Sequence, residues 1–110
     1  MMVYRHESEL SLKPTTGHAG AKIIDESNGA VNGFSMGIAY YGQDEYGKPG
    51  IHEDQEGFFV LEGTGKAKVG NEEFAIRPGS AFIAAKGVPH ILKKAPESPP
   101  VKVFWCHGSV

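Results

Sequence analysis

GIHEDQEGFFVLEGTG, residues 50–65, sets an imidazole and a carboxylate four positions apart, His52 and Glu56, just ahead of an apolar run that stops at Gly63-Thr64-Gly65. The run, GFFVLEG at 57–63, is too short for an ordinary helix and is bounded by glycines, which is how a buried strand reads. GKAKVGNEEFAI at 65–76 then reads as two strands joined at Gly70-Asn71, where glycine in the first turn position suits a type II′ hairpin. In the first of these strands Lys66 and Lys68 face water while Ala67 and Val69 face inward.

The same punctuation continues on both sides. In GFSMGIAYYG, residues 33–42, Phe34, Met36, Ile38 and Tyr40 fall on one face and Ser35, Gly37, Ala39 and Tyr41 on the other, the period of two of a half-buried strand. Downstream, Pro78-Gly79 closes the hairpin, SAFIAA (80–85) begins another strand, KGVPH (86–90) turns, and VKVFWCH (101–107) is a last strand after the proline-stiffened loop APESPP (95–100). With 15 Gly and 7 Pro in 110 residues, no helix of ordinary length fits between the breaks, so the fold class is all-β. The turns recur at roughly the 8–12-residue spacing of sandwiches and barrels. Only HESELSLK, residues 6–13, has room for a helical turn, capped at Ser8. The ends, residues 1–20 and 109–110, are the expected places for mobility or for contact with another subunit.

Bulk properties exclude several partners. At 110 residues the chain is expected to form a single domain over 1–110, burying roughly two-thirds of its unfolded surface. A net charge of −2 and no basic run longer than Lys93-Lys94 supply no footprint for nucleic acid or for an anionic membrane. No apolar stretch approaches the roughly 18 residues needed to span a bilayer. The lone Cys106 cannot form an internal disulfide, and MMVYRHESEL lacks the apolar core of a signal peptide, so a cytoplasmic setting is expected.

Around the two histidines the chain resembles the cupin family, whose small members fold as a double-stranded β-helix, or jelly roll. The first family motif runs Gly, five residues, His-x-His, three or four residues, Glu, six residues, Gly. His52, Glu56 and Gly63 stand in register with its second half, while Gly50 falls where the first histidine belongs and Asp44 where the opening glycine belongs. The second motif runs Gly, five residues, Pro-x-Gly, two residues, His, three residues, Asn. Gly79, Gly87 and His90 match it, with Ala85 in place of the proline and Lys94 in place of the asparagine. The likeness covers residues 40–94 closely.

The resemblance implies a jelly-roll barrel that holds a divalent metal ion, Fe, Mn, Zn or Ni, through His52, Glu56 and His90. Two imidazoles and one carboxylate leave about three positions open on a six-coordinate ion, an arrangement suited to Fe(II) or Mn(II), and zinc with three protein ligands and a water fits as well. It also implies a small oxygen-bearing ligand or substrate, with dioxygenase, isomerase or lyase chemistry, and a homodimer. Whether the chain is an enzyme stays open. The missing histidine at Gly50 favours the other reading, a non-catalytic small-molecule or sugar-binding module with a degenerate metal site.

The remaining candidates take plainer readings. Asp54, two residues from His52, reads as a solvated loop carboxylate in preference to a replacement ligand. Alternation along the last strand puts Val101, Val103, Trp105 and His107 on one side, open to being the interior, but His107 reads as a strand-end surface residue. Phe34, Tyr40, Phe58, Phe82 and Trp105 are aromatic candidates for a cavity wall whose plainer role is core packing. Cys106 reads as a buried thiol, GTGKAKVG lacks the spacing of a phosphate loop, and no motif surrounds His6 or His18.

Overall fold

The computed structural model describes residues 2–108; residues 109–110, expected above to be a place for mobility or subunit contact, lie outside the described residues. Eight strands follow one another as β1 (His18–Ile24), β2 (Ser35–Tyr41), β3 (Gln55–Glu62), β4 (Gly65–Val69), β5 (Glu72–Ile76), β6 (Ala81–Ala84), β7 (His90–Lys94) and β8 (Val101–Gly108). They form a five-stranded sheet in the order β1-β2-β8-β3-β6 and a three-stranded sheet in the order β5-β4-β7, antiparallel throughout. This is the all-β jelly roll expected. Among the described residues no helix is long and apolar enough to cross a membrane.

Alternation places the core. On β3 the inward side chains are Glu56, Phe58 and Val60; on β8 they are Val101, Val103, Trp105 and His107. These rows oppose each other residue for residue, with Val60 on Val103, Phe58 on Trp105 and Glu56 on His107. Ala67, Ile76, Ile91 and Leu92 from the small sheet complete the core cluster with Ala39 and Tyr41 of β2. The β4–β5 turn has Gly70 at φ 59° and no positive φ at Asn71, as a type II′ turn requires.

The interior face of β2 is the one holding Ser35, Gly37, Ala39 and Tyr41, not the row with the larger apolar residues. Trp105 explains the choice. It lies across the sheet from Gly37, and a Cβ there would collide with its Cζ2 and with the Ala21 carbonyl. The opposite row is covered in part by the N-terminal arm, whose His6, Leu10 and Leu12 share a surface pocket with Ile38 and Tyr40. Phe34 is exposed.

Three expectations need correction. Of residues 1–20, read as a place for mobility or for subunit contact, the part from His18 on is fixed as β1 against β2, and Lys102 Nζ holds Glu7 Oε1 at 3.2 Å. The helical turn is a single 3-10 turn, Glu7–Glu9, and its cap is His6, whose Nδ1 accepts from the Ser8 N–H. His90, read as the end of the turn at 86–90, instead opens β7, because it bridges Gly50 while its strand pairs with β4.

Gly37→Ala should cost about 1–3 kcal/mol, as overpacking of a tight core does. Gly17→Ala, with nothing within 4 Å of the added Cβ, should be nearly neutral. Thermal unfolding of the two variants beside the parent checks this, and equal melting temperatures would contradict the packing argument.

Candidate metal centre

The site lies at one end of the barrel and draws on both sheets. Glu56 comes from the middle of the large sheet, carried inward by the alternation that buries Phe58 and Val60, and its side chain is only 8% exposed. His90 opens β7 in the small sheet, and reciprocal backbone hydrogen bonds of 2.8 and 2.9 Å tie it to Gly50. His52 follows on the loop between β2 and β3, where its carbonyl accepts the Gly87 N–H at 2.8 Å, so the turn before His90 also fixes the backbone of His52.

These placements turn three side chains to one point. His90 Nε2 stands 3.1 Å and His52 Nε2 3.4 Å from the same oxygen, Glu56 Oε1. One donor atom from each of His52, Glu56 and His90 lies within 4.8 Å of the others. The sequence-named trio is therefore brought together. His90 Nδ1 is 3.1 Å from the Val88 carbonyl, which can only accept, so the ring proton sits on Nδ1 and the Nε2 lone pair faces the carboxylate. Electron-rich atoms facing each other in this way are reconciled by a cation at their common point, a proton at low pH or a metal ion above it. The donor set fits a divalent ion of the kind that takes imidazole and carboxylate together.

Above these donors opens a cavity of about 410 Å³ whose walls include His18, Tyr41, Gly50, Ile91 and Trp105. A Cβ at Gly50 would lie 3.3 Å from His90 Nε2 and 3.6 Å from His52 Nε2, so glycine leaves the approach to the donors clear on that side. His18 stacks on its cross-strand partner Tyr41 at 4.2 Å and 11°. Burial pushes the Tyr41 hydroxyl far up and pulls His18 below its ordinary value. For His90, burial works downward, but contact with Glu56 and the Val88 carbonyl outweighs it and holds the imidazole above its ordinary value.

Two plainer readings give way to the structure. His107 does not point to solvent: it faces the cavity with its side chain 16% exposed and Nε2 3.4 Å from Glu56 Oε2. Asp54 is no freely solvated loop carboxylate, because its Oδ1 lies 2.9 Å from His107 Nδ1. His18, which no motif marked, stands in the cavity wall; only the β1–β2 pairing, invisible in a segment as small-residue-rich as HAGAKII, brings it there. Of the aromatic candidates, Trp105 lines the cavity, Phe58 and Phe82 stack on each other in the core at 4.8 Å, and Phe34 and Tyr40 face outward. Cys106 is a free, half-buried thiol on the outward row of β8.

The Cupin domain family matches residues 38–107. No curated protein sequence matches the chain significantly. Among solved structures, the polyketide cyclase RemF from Streptomyces resistomycificus superposes with a TM-score of 0.76 at 20% identity, over 97% of this chain and 79% of that one. TT1209 from Thermus thermophilus gives a TM-score of 0.72 at 19% identity, over 99% of this chain and 100% of that one. HppE, solved with Co(II) in complex with substrate, gives 0.68 at 18% identity over 84% of this chain, which spans about half of its length, 52%. At these identities the likeness is one of fold.

The geometry sets a titration. In metal-free protein, NMR should place the His90 pKa above the ordinary 6.5, and Glu56→Gln should lower it, since burial then acts with less opposition. Because the folded value is raised, the Glu56–His90 contact stabilises the metal-free fold below the ordinary histidine range and loses that effect as pH rises through the His90 pKa. An unchanged His90 titration in Glu56→Gln would show that the two groups are not coupled.

Proposed function

Since the chain belongs to the cupin family, we propose that it holds one divalent metal ion through His52, Glu56 and His90 and binds a small oxygen-bearing molecule beside it. The observation that carries this reading is the meeting of two imidazole Nε2 atoms on one oxygen of a buried carboxylate, at the floor of a cavity of about 410 Å³. That volume lies within the range of small-molecule sites, roughly 300–1,000 Å³. The HppE relative, seen with cobalt(II) and substrate together, supports the pairing of metal and small ligand on this fold.

When bound, the ion supplies Lewis acidity or a site for O₂ activation. The rest falls to the chain. Glu56 offers one oxygen beside both imidazoles, and the Val88 carbonyl keeps the His90 proton on Nδ1, away from the ion. Trp105 and Ile91 present apolar surface to the cavity, and the stacked rings of His18 and Tyr41 add a flat aromatic wall against which a ligand can be oriented. The chemistries we propose for such a site are dioxygenation, isomerisation and lyase-type elimination. Gly50, which supplies no ligand where the family has one, favours a second reading: a non-catalytic module that binds a sugar or another small metabolite. Turnover against panels of small acids, thiols, phenols and sugars separates the two.

The reading extends to setting and assembly. We place the protein in a reducing, cytoplasmic compartment, on the free thiol of Cys106. We also propose a homodimer, supported by the exposed apolar side chains of Met2, Val3 and Tyr4 and by the free edge that β1 leaves on the large sheet.

Reconstituted wild type should carry about one ion per chain, and Glu56→Ala and His90→Ala should each lose most of it, with affinity falling as pH drops through about 6. Elemental analysis of folded samples reads this; retention of metal in both variants would remove the site. Light scattering at micromolar concentration should show a dimer that deletion of residues 1–8 weakens, and a monomeric wild type would exclude it.

A further inference from the structure

His107 reaches the cavity from outside both motif regions, and its two nitrogens have distinct partners. Nδ1 lies 2.9 Å from Asp54 Oδ1 and 3.1 Å from Oδ2; an ionised carboxylate only accepts, so the ring proton sits on Nδ1 and the Nε2 lone pair is turned into the site. There it stands 3.4 Å from Glu56 Oε2, whereas the oxygen nearest to His52 and His90 is Oε1. That separation exceeds the roughly 2.7–3.2 Å of an N–H···O bond. It lies close to the roughly 3.0 Å between two donors held side by side on one ion at about 2.1 Å each.

The ring spacing points the same way. His52 and His107 have centroids 4.8 Å apart, and His52 and His90 5.1 Å. Two imidazoles side by side on one ion sit roughly 4.5 Å apart by the same bond lengths. His107 also shares with His90 the arrangement typical of a metal-binding imidazole, a far nitrogen donating to a fixed oxygen acceptor. The contact is built into the sheet, because Glu56 and His107 are direct cross-strand partners on β3 and β8.

We propose that His107, braced by Asp54, joins as a fourth protein ligand when the ion binds: its Nε2 faces Glu56 Oε2 from just outside the trio whose donors already lie within 4.8 Å of one another. This rests on the reading that His52, Glu56 and His90 bind a divalent metal. The donor set becomes three imidazoles and one carboxylate, the third imidazole coming from the last strand in place of position 50. With four protein donors a six-coordinate ion would keep two positions open instead of three.

Cobalt(II) alone is the probe, with affinity read by chelator competition and the number of bound imidazoles by X-ray absorption. Wild type should show three imidazoles. His107→Ala should show two, with affinity reduced at least tenfold and partly restored by added imidazole, a rescue that a purely structural role would not give. Asp54→Asn should keep three imidazoles while binding roughly 10–100-fold more weakly, as loss of a hydrogen-bonded support does. His6→Ala should change nothing. Wild type with two imidazoles, or His107→Ala with unchanged affinity and imidazole number, overturns the fourth ligand and leaves the three-residue site standing; wild type that takes no cobalt overturns both. Circular dichroism confirms that each variant is folded, and should His107→Ala fail to fold, the wild-type count together with Asp54→Asn decides.

Discussion

The pairing of β3 with β8 is the constraint on which the rest depends. Once Val60 opposes Val103 and Phe58 opposes Trp105, the period of two leaves no choice for the next inward pair, and Glu56 and His107 must meet inside the barrel. A one-residue slip of β3 against β8 would turn Glu56, Phe58 and Val60 outward together. The apolar core therefore specifies where the polar site stands. Burying a carboxylate alone costs several kcal/mol, so a strand that carries Glu56 inward needs partners for it, and imidazoles arrive from three other segments of chain.

The small sheet and its loops supply the opposing half. His90 sits where β7 begins, held from one side by β4 and from the other by Gly50, and the Gly87 N–H reaches back to the His52 carbonyl. Each histidine is thus located by backbone hydrogen bonds before its side chain contacts anything. Side chains alone on a mobile loop would not hold two ring nitrogens within a few tenths of an ångström of equal distance from one oxygen, 3.1 and 3.4 Å.

Strong local signals were readable directly. GFFVLEG, the Gly70-Asn71 hairpin and VKVFWCH each carry a glycine boundary or a clean alternation, and each became a strand or turn near its expected place. The resemblance of their surroundings to the two family motifs named His52, Glu56 and His90, three side chains that converge. What stayed hidden needed partners. HAGAKII has too few large apolar residues to read as a strand, and it is one because β2 offers it an edge. HILKK ends in two lysines and follows a turn, yet β4 and Gly50 enclose it. In GFSMGIAYYG the alternation sorted the side chains onto two faces without saying which turns inward; the ring of Trp105, far away in sequence, decides that Gly37 must lie beneath it.

His107 shows the limit most sharply, because the alternation of its strand was correct and its place was still misread. Val103 and Trp105 identify the inward row, but nothing in the strand's own residues says whether that row ends in solvent or beneath a loop. The answer lies in the β2–β3 loop, which brings Asp54 against the His107 ring and His52 in front of it. An inward histidine at an open barrel end would be a solvated group with many orientations. Held on one nitrogen by a carboxylate and packed edge-on against Trp105 at 5.0 Å, it is confined to one orientation. Confinement costs side-chain entropy that an unliganded pocket does not return, whereas an ion binding only the folded chain adds stability of about 2.7 kcal/mol at a hundredfold excess over its dissociation constant. The polar end of this barrel is thus arranged so that the groups least favourable to bury are also those whose burial a bound cation would best offset.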